Sequence, residues 1–194
     1  MNTHNLRIYA FVMLGIAFAT YVILFLLTQN LEKINFEKAL SNISTTISIN
    51  IIVWTVFIKW LWKWNIFYPW MVQFPNLSGE WEGIIKSNWN DDTNLEIPIS
   101  IVIDQNFFNI QIKIKSEESK SYSIGASFDI DKDRGHQQLF YSYLNTPNSS
   151  VRNLSQIHYG STILNFDGFK VNELEGEYWT SRETTGEIKL KRKV

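Results

Sequence analysis

Twenty consecutive residues without a charge, Ile8 to Leu27 (IYAFVMLGIAFATYVILFLL), dominate the start of the hydrophobic pattern. A helix of that length, rising about 1.5 Å per residue, covers the roughly 30 Å hydrocarbon core of a bilayer. A secretory leader has a shorter apolar core followed by a small-x-small cleavage site. Here the run ends in Leu26-Leu27-Thr28-Gln29-Asn30, so it is read as a membrane span. A second, less oily stretch covers 43–61 and carries Ser44, Thr45, Thr46, Ser48 and Asn50 in its first half. It is read as the return limb of a transmembrane hairpin, the alternative being an amphipathic helix lying in the interface. Lys59, Trp60, Trp62, Lys63, Trp64, Tyr68 and Trp70 form an expected interfacial belt, and Pro69 and Pro75 end the helix. Arg7, Lys59 and Lys63 flank the outer ends of the hairpin, against Lys33 and Lys38 in the loop, which places both termini in the cytoplasm.

After residue 77 the period drops to two. Leu95, Ile97, Ile99, Ile101 and Ile103 alternate with mostly polar residues, as do Phe108, Ile110, Ile112 and Ile114. That is the mark of strands with one buried face. Eight segments are expected, at 79–88, 95–104, 107–116, 120–130, 137–145, 156–166, 170–181 and 185–193. Short polar connections such as Ser116–Ser119 and Asp131–Gly135 favour antiparallel neighbours. Eight short strands and no long helix predict an all-β domain, an antiparallel up-and-down, lipocalin-like minimal β-barrel, with a two-sheet sandwich as the runner-up. The expected division is a transmembrane hairpin at 1–71 and a ligand-binding barrel at 72–194.

Composition then excludes whole classes of chemistry. The 194 residues contain no cysteine and only His4, His136 and His158, which removes thiol catalysis, disulfide scaffolds and multi-histidine metal sites. With 17 acidic and 13 basic side chains over 77–194, no broad nucleic-acid face is expected. Asp129, Asp131, Asp133 and Gly135 look superficially like a calcium loop, but the glycine is one position late and Phe140 stands where the loop needs a glutamate. An ordinary charged turn is expected. The sequons at Asn148 and Asn153 carry little weight without a secretory leader. Glu173, Glu175 and Glu177 share the strand face opposite Leu174 and Tyr178 and read as a solvated stripe. No nucleophile elbow, phosphate-binding glycine loop or metal-ligand spacing occurs, so no enzyme activity and no cofactor are expected.

The inward parity is more informative. If Leu174 faces the core, then Gly176, Tyr178, Thr180 and Arg182 follow it. An inward guanidinium is costly unless an anion answers it. An internal carboxylate or a ligand phosphate would do so. On a neighbouring segment Leu139, Tyr141, Tyr143 and Asn145 share one parity. Their rings could be core with satisfied hydroxyls, or stack on a nucleobase whose edge Asn145 reads.

Two motifs carry a resemblance. Leu77-Ser78-Gly79-Glu80-Trp81-Glu82-Gly83 opens the β-domain, and Leu174-Glu175-Gly176-Glu177-Tyr178-Trp179-Thr180-Ser181-Arg182, continuing to Leu190, nearly closes it. With two preceding spans and, more loosely, Tyr141-Ser142-Tyr143-Leu144-Asn145, the chain resembles the two-transmembrane β-barrel effectors of bacterial CBASS anti-phage systems, the CD-NTase-associated Cap-fifteen family. The resemblance implies an inner-membrane receptor-effector. Its barrel binds a cyclic dinucleotide made by a partner nucleotidyltransferase. The protein then oligomerises, and its transmembrane segments disrupt the membrane and kill the infected cell. Carried onto this chain, Arg182 holds a phosphate, assisted by Thr180 and Thr184. Tyr141, Tyr143 and Tyr178 contact bases, Asn145 reads one, and Trp81 packs the barrel floor. Ser48 and Asn50 are the expected contacts between transmembrane segments of neighbouring copies in the oligomer. A membrane-anchored protein-interaction module and a carrier of an apolar ligand are the competing classes. The first predicts that Arg182 is dispensable, the second an uncharged interior.

Overall fold

The computed structural model describes residues 3–28, 35–88, 95–131 and 135–193, and the chain divides into two compact units, Met1–Val72 and Gln73–Val194. Helices α1 (Thr3–Thr28) and α2 (Phe36–Lys59) make up most of the first unit, and both are long and apolar enough to cross a membrane. Within it, Asn42 Nδ2 donates to Thr28 Oγ1 at 2.8 Å, and Asn42 and Thr46 are buried. α2 starts at Phe36 rather than at the apolar residue 43. Asn35 caps it by accepting the Lys38 N–H, and Glu37 suits the positive end of the helix. It stops at Lys59, earlier than the expected 61, and two 3-10 turns follow, Leu61–Lys63 and Asn65–Phe67. Those turns break the expected aromatic belt: Trp60, Trp64 and Trp70 stay exposed, whereas Trp62 is fully buried.

Eight strands form the second unit: β1 (Gly79–Ser87), β2 (Leu95–Gln105), β3 (Ile110–Lys115), β4 (Ser119–Asp131), β5 (His136–Pro147), β6 (His158–Asn165), β7 (Glu173–Thr180) and β8 (Thr185–Arg192). Each pairs antiparallel with the next, and β1 pairs with β8, so the sheet is a closed barrel rather than a sandwich. The period-two pattern sets which face is inside. Ile99, Ile101 and Ile103 are buried on β2 while their neighbours are exposed. Phe108 departs from this reading. Asn106 Oδ1 accepts from the backbone N–H groups of Phe108 and Asn109, and that turn delays β3 to Ile110 and leaves Phe108 exposed. At the far end of β4, Asp129 pairs with His136 at 3.4 Å, while Asp133 lies outside the described residues.

One end of the barrel is plugged. Trp81 is fully buried and its indole N–H donates to the Leu77 carbonyl at 3.0 Å. The Arg192 guanidinium lies 4.4 Å from the Trp81 ring centroid and donates to the carbonyls of Val171, Ser78 and Asn76. Phe74 stacks on Phe128, which meets Phe166 edge-on, completing the floor. Along the axis, the registers of β5 to β8 build successive layers. Leu139, Leu164, Gly176 and Ile188 form one layer, and Tyr141, Thr162, Tyr178 and Gly186 the next. Tyr143, Gly160 and Thr180 follow, and then Asn145 beside His158. The interior thus passes from apolar floor to polar mouth.

Candidate ligand site at the barrel mouth

A cavity of about 360 Å³ opens at the end opposite the floor, within the roughly 300–1,000 Å³ usual for small-molecule sites. Isoleucines 85, 97, 99, 114 and 188 supply apolar walls, and Ser87, Ser121, Tyr143, Asn145, His158, Thr162, Tyr178, Thr180, Arg182 and Thr184 supply the polar groups. Among the described lining residues Arg182 is the one Lys or Arg side chain, and Glu96, Glu117 and Glu118 are the acidic ones. A groove of about 490 Å³ also runs along the outside of β1 to β3, but its charged side chains are Glu80 and Asp104, which suit no anion.

Arg182 sits in the β7–β8 turn, two residues beyond the end of β7, and keeps the inward parity of Tyr178 and Thr180. Its backbone N–H donates to Thr180 Oγ1 at 3.2 Å, and its Nη1 donates to Ser155 Oγ at 3.1 Å. Thr180 and Thr184 face each other across the turn with hydroxyls 2.6 Å apart. Glu183, between Arg182 and Thr184, takes φ 63°, the left-handed conformation that reverses the chain. Burial lowers the Arg182 pKa, opposed by the nearby phenols of Tyr143 and Tyr178. The guanidinium stays charged, because its ordinary value is far above neutrality.

The tyrosines are held by glycines. Gly160 stands opposite Tyr143, and a Cβ there would run into the Tyr143 ring. Gly186 stands opposite Tyr178, and a Cβ there would run into the Lys86 carbonyl as well as the Tyr178 ring. Burial pushes the Tyr141 phenol up to about 12 and raises those of Tyr143 and Tyr178 as well. At neutral pH all three are uncharged. Tyr178 donates its hydroxyl to Ser87 Oγ at 2.7 Å. Asn145 Nδ2 is bound to Ser119 Oγ and Ser121 Oγ at 3.0 and 2.9 Å, leaving its Oδ1 for another partner. Gly160→Ala is therefore expected to destabilise the protein by about 1–3 kcal/mol through overpacking, read as a lower Tm. In a Tyr143→Ala background most of that cost should vanish.

Six of the seven expected ligand residues line this cavity: Arg182, Thr180, Tyr178, Tyr143, Asn145 and Thr184. Tyr141 does not. It is fully buried in the layer of Thr162 and Tyr178, one layer below Tyr143, with its ring centroid 6.0 Å from that of Tyr143, so it packs behind the cavity wall. The expected Glu173, Glu175 and Glu177 stripe is exposed, and Glu173 and Glu175 pair with Lys191 and Lys189 across β8. In the other unit, Ser48 is exposed and donates to the Ser44 carbonyl, and half-buried Asn50 donates to that of Thr46. Ser87, Ser121, Ser155, His158 and Thr162 were not singled out from the sequence. The inward parity of Leu164 extended back along β6 reaches Thr162 and His158, and was the available clue.

These features define the class: a protein with two apolar helices long enough to cross a membrane and a lipocalin-like barrel, whose polar mouth carries one cationic side chain among the described residues. Residues 72–192 match the family described as "Cap15, cyclic dinucleotide receptor domain". A CD-NTase-associated protein 15 from Staphylococcus schleiferi is 31% identical over 150 residues, covering 77% of this chain and 78% of that protein. A protein of the same name from Escherichia albertii is 27% identical over 165 residues, covering 81% and 84%. The chain belongs to the Cap15 family, as its opening and closing barrel motifs indicated.

Proposed function

We propose that the barrel mouth binds a cyclic dinucleotide made by a partner nucleotidyltransferase, and that binding brings copies together so that α1 and α2 breach the bacterial inner membrane. The observation that carries this reading is Arg182, standing beside Tyr143 and Tyr178 at the open end of a barrel plugged at the other. The guanidinium fork matches a phosphate, and the neutral phenols offer stacking faces and donors beside it. Thr180 and Thr184 add hydroxyls to the phosphate, and Asn145 reads a base edge. In this role the protein is a receptor and carries out no reaction of its own. Both termini and the barrel lie in the cytoplasm, where the nucleotide is made.

Titrating the full chain in detergent micelles with a panel of cyclic di- and trinucleotides tests the receptor step. Saturable binding of a cyclic dinucleotide supports it, and silence from the folded protein overturns it. The membrane step rests on α2. Ser41, Thr45, Ser48 and Thr55 lie exposed along it, with Thr45, Ser48 and Thr55 donating to carbonyls of their own helix. Hydroxyls in lipid favour helix-to-helix burial or a wet defect. Ser48→Leu with Asn50→Leu is expected to preserve ligand affinity and cut ligand-triggered dye release from loaded vesicles several-fold. Unchanged release would reject α2 as the assembling surface.

A further inference from the structure

His158 opens β6 with its side chain in the cavity, directly opposite Asn145 of β5. Its Nδ1 lies 2.8 Å from the carbonyl oxygen of Gln156. A carbonyl only accepts, so the proton of the neutral ring sits on Nδ1, and Nε2 carries a lone pair. That tautomer is fixed by backbone two residues away, not by a movable side chain.

The surroundings keep the ring neutral. Burial lowers its pKa below the ordinary 6.5, and the Arg182 charge lowers it further, against the Gln156 bond, which raises it. Among the described residues, the other ionisable groups around the cavity are Tyr143 on β5 and Tyr178 on β7, both neutral, and Glu96, Glu117 and Glu118 at the rim. The Arg182 charge acts on the ring and disfavours a second cation beside it.

Resting on the cyclic dinucleotide reading above, we infer that His158 is a further ligand-binding residue, whose Nε2 accepts an N–H from a nucleobase and so selects bases that present a donor edge. Division of labour follows from the layer it shares with Asn145. The Arg182 and Thr180–Thr184 side of the mouth takes the charged phosphate. The His158 and Asn145 side meets the neutral base edge, with the Asn145 Oδ1 as a second acceptor. An amino group, as on adenine or guanine, or the ring N–H of guanine or uracil fits that pair of acceptors.

The sign of the pH dependence separates this role from a phosphate-binding one. A ligand donor on Nε2 prefers the neutral ring, so affinity holds constant above the His158 pKa and falls as pH drops through it, by up to tenfold per unit. A cationic His158 on a phosphate gives the opposite slope.

The test is titration calorimetry of the full chain in micelles against cyclic dinucleotides built from A, G and U, between pH 8 and pH 5. His158→Phe is expected to weaken the preferred ligand about tenfold, to flatten the ranking of bases and to remove the acid-side loss. His158→Gln, whose amide oxygen also accepts, is expected to bind within about threefold of the native chain and to be insensitive to pH. A melting scan of each variant shows that it is folded. Native-like affinity and ranking in a folded His158→Phe protein, or native affinity that rises on acidification, overturns the inference while leaving the receptor reading intact. If the native chain binds no member of the panel, both fall together.

Discussion

Arg182→Ala is expected to lose cyclic dinucleotide binding by roughly 10- to 150-fold or more while the barrel melts where it did before. The loss follows from charge-assisted hydrogen bonds to a phosphate, worth about 1.5–3 kcal/mol each. Retained stability follows from position. Arg182 lies in a turn at the rim, half-buried, and its Nη1 bond to Ser155 Oγ joins two exposed connecting segments rather than core strands. Burial already works against its charge, so deleting it should change the folding free energy by less than about 0.5 kcal/mol. Arg182→Lys should recover only part of the affinity, because an ammonium cannot fork onto two oxygens. Calorimetry and a melting scan on the same preparations separate the two effects. Undiminished binding in the alanine variant would remove the phosphate role and favour a protein-interaction module.

Arg192→Ala should do the reverse, costing about 2–4 kcal/mol of stability with little direct effect at the mouth. The substitution strips donors from the carbonyls of Val171, Ser78 and Asn76 and takes the cation off the Trp81 face. For a barrel of this size, that corresponds to a fall in Tm of roughly 5–15 °C. Arg192→Lys keeps the cation but cannot reach three carbonyls at once and should fall between. A shift of under a degree for alanine would mean that the plug is held by Trp81 and the phenylalanines alone.

Most strand boundaries were legible because burial on a barrel wall obeys a period of two whatever lies on the other side of the ring. Arg182 was found by the same rule, since the parity set by Leu174 carries through Tyr178 and Thr180 into the turn. Depth was not legible: parity puts Tyr141 and Tyr143 on one face but says nothing of how far each stands from the mouth. His158 on β6 and Ser87 on β1 reach one cavity because the barrel closes, and Ser155 reaches it from the β5–β6 connection; each is unremarkable in its own stretch of sequence. Phe108 was misread because an asparagine turn outweighed the alternation, and Trp62 because a 3-10 turn rotated it out of a helical belt.

The pairing of β1 with β8 leaves this sheet without a free edge. A ring of that kind cannot recruit another molecule by adding a strand, which is how open sheets grow into fibres. Any assembly of these barrels must therefore join through side chains on the outer wall, through the rim turns or through the helices. Assemblies formed in the proposed ligand response should therefore leave amyloid dyes dark.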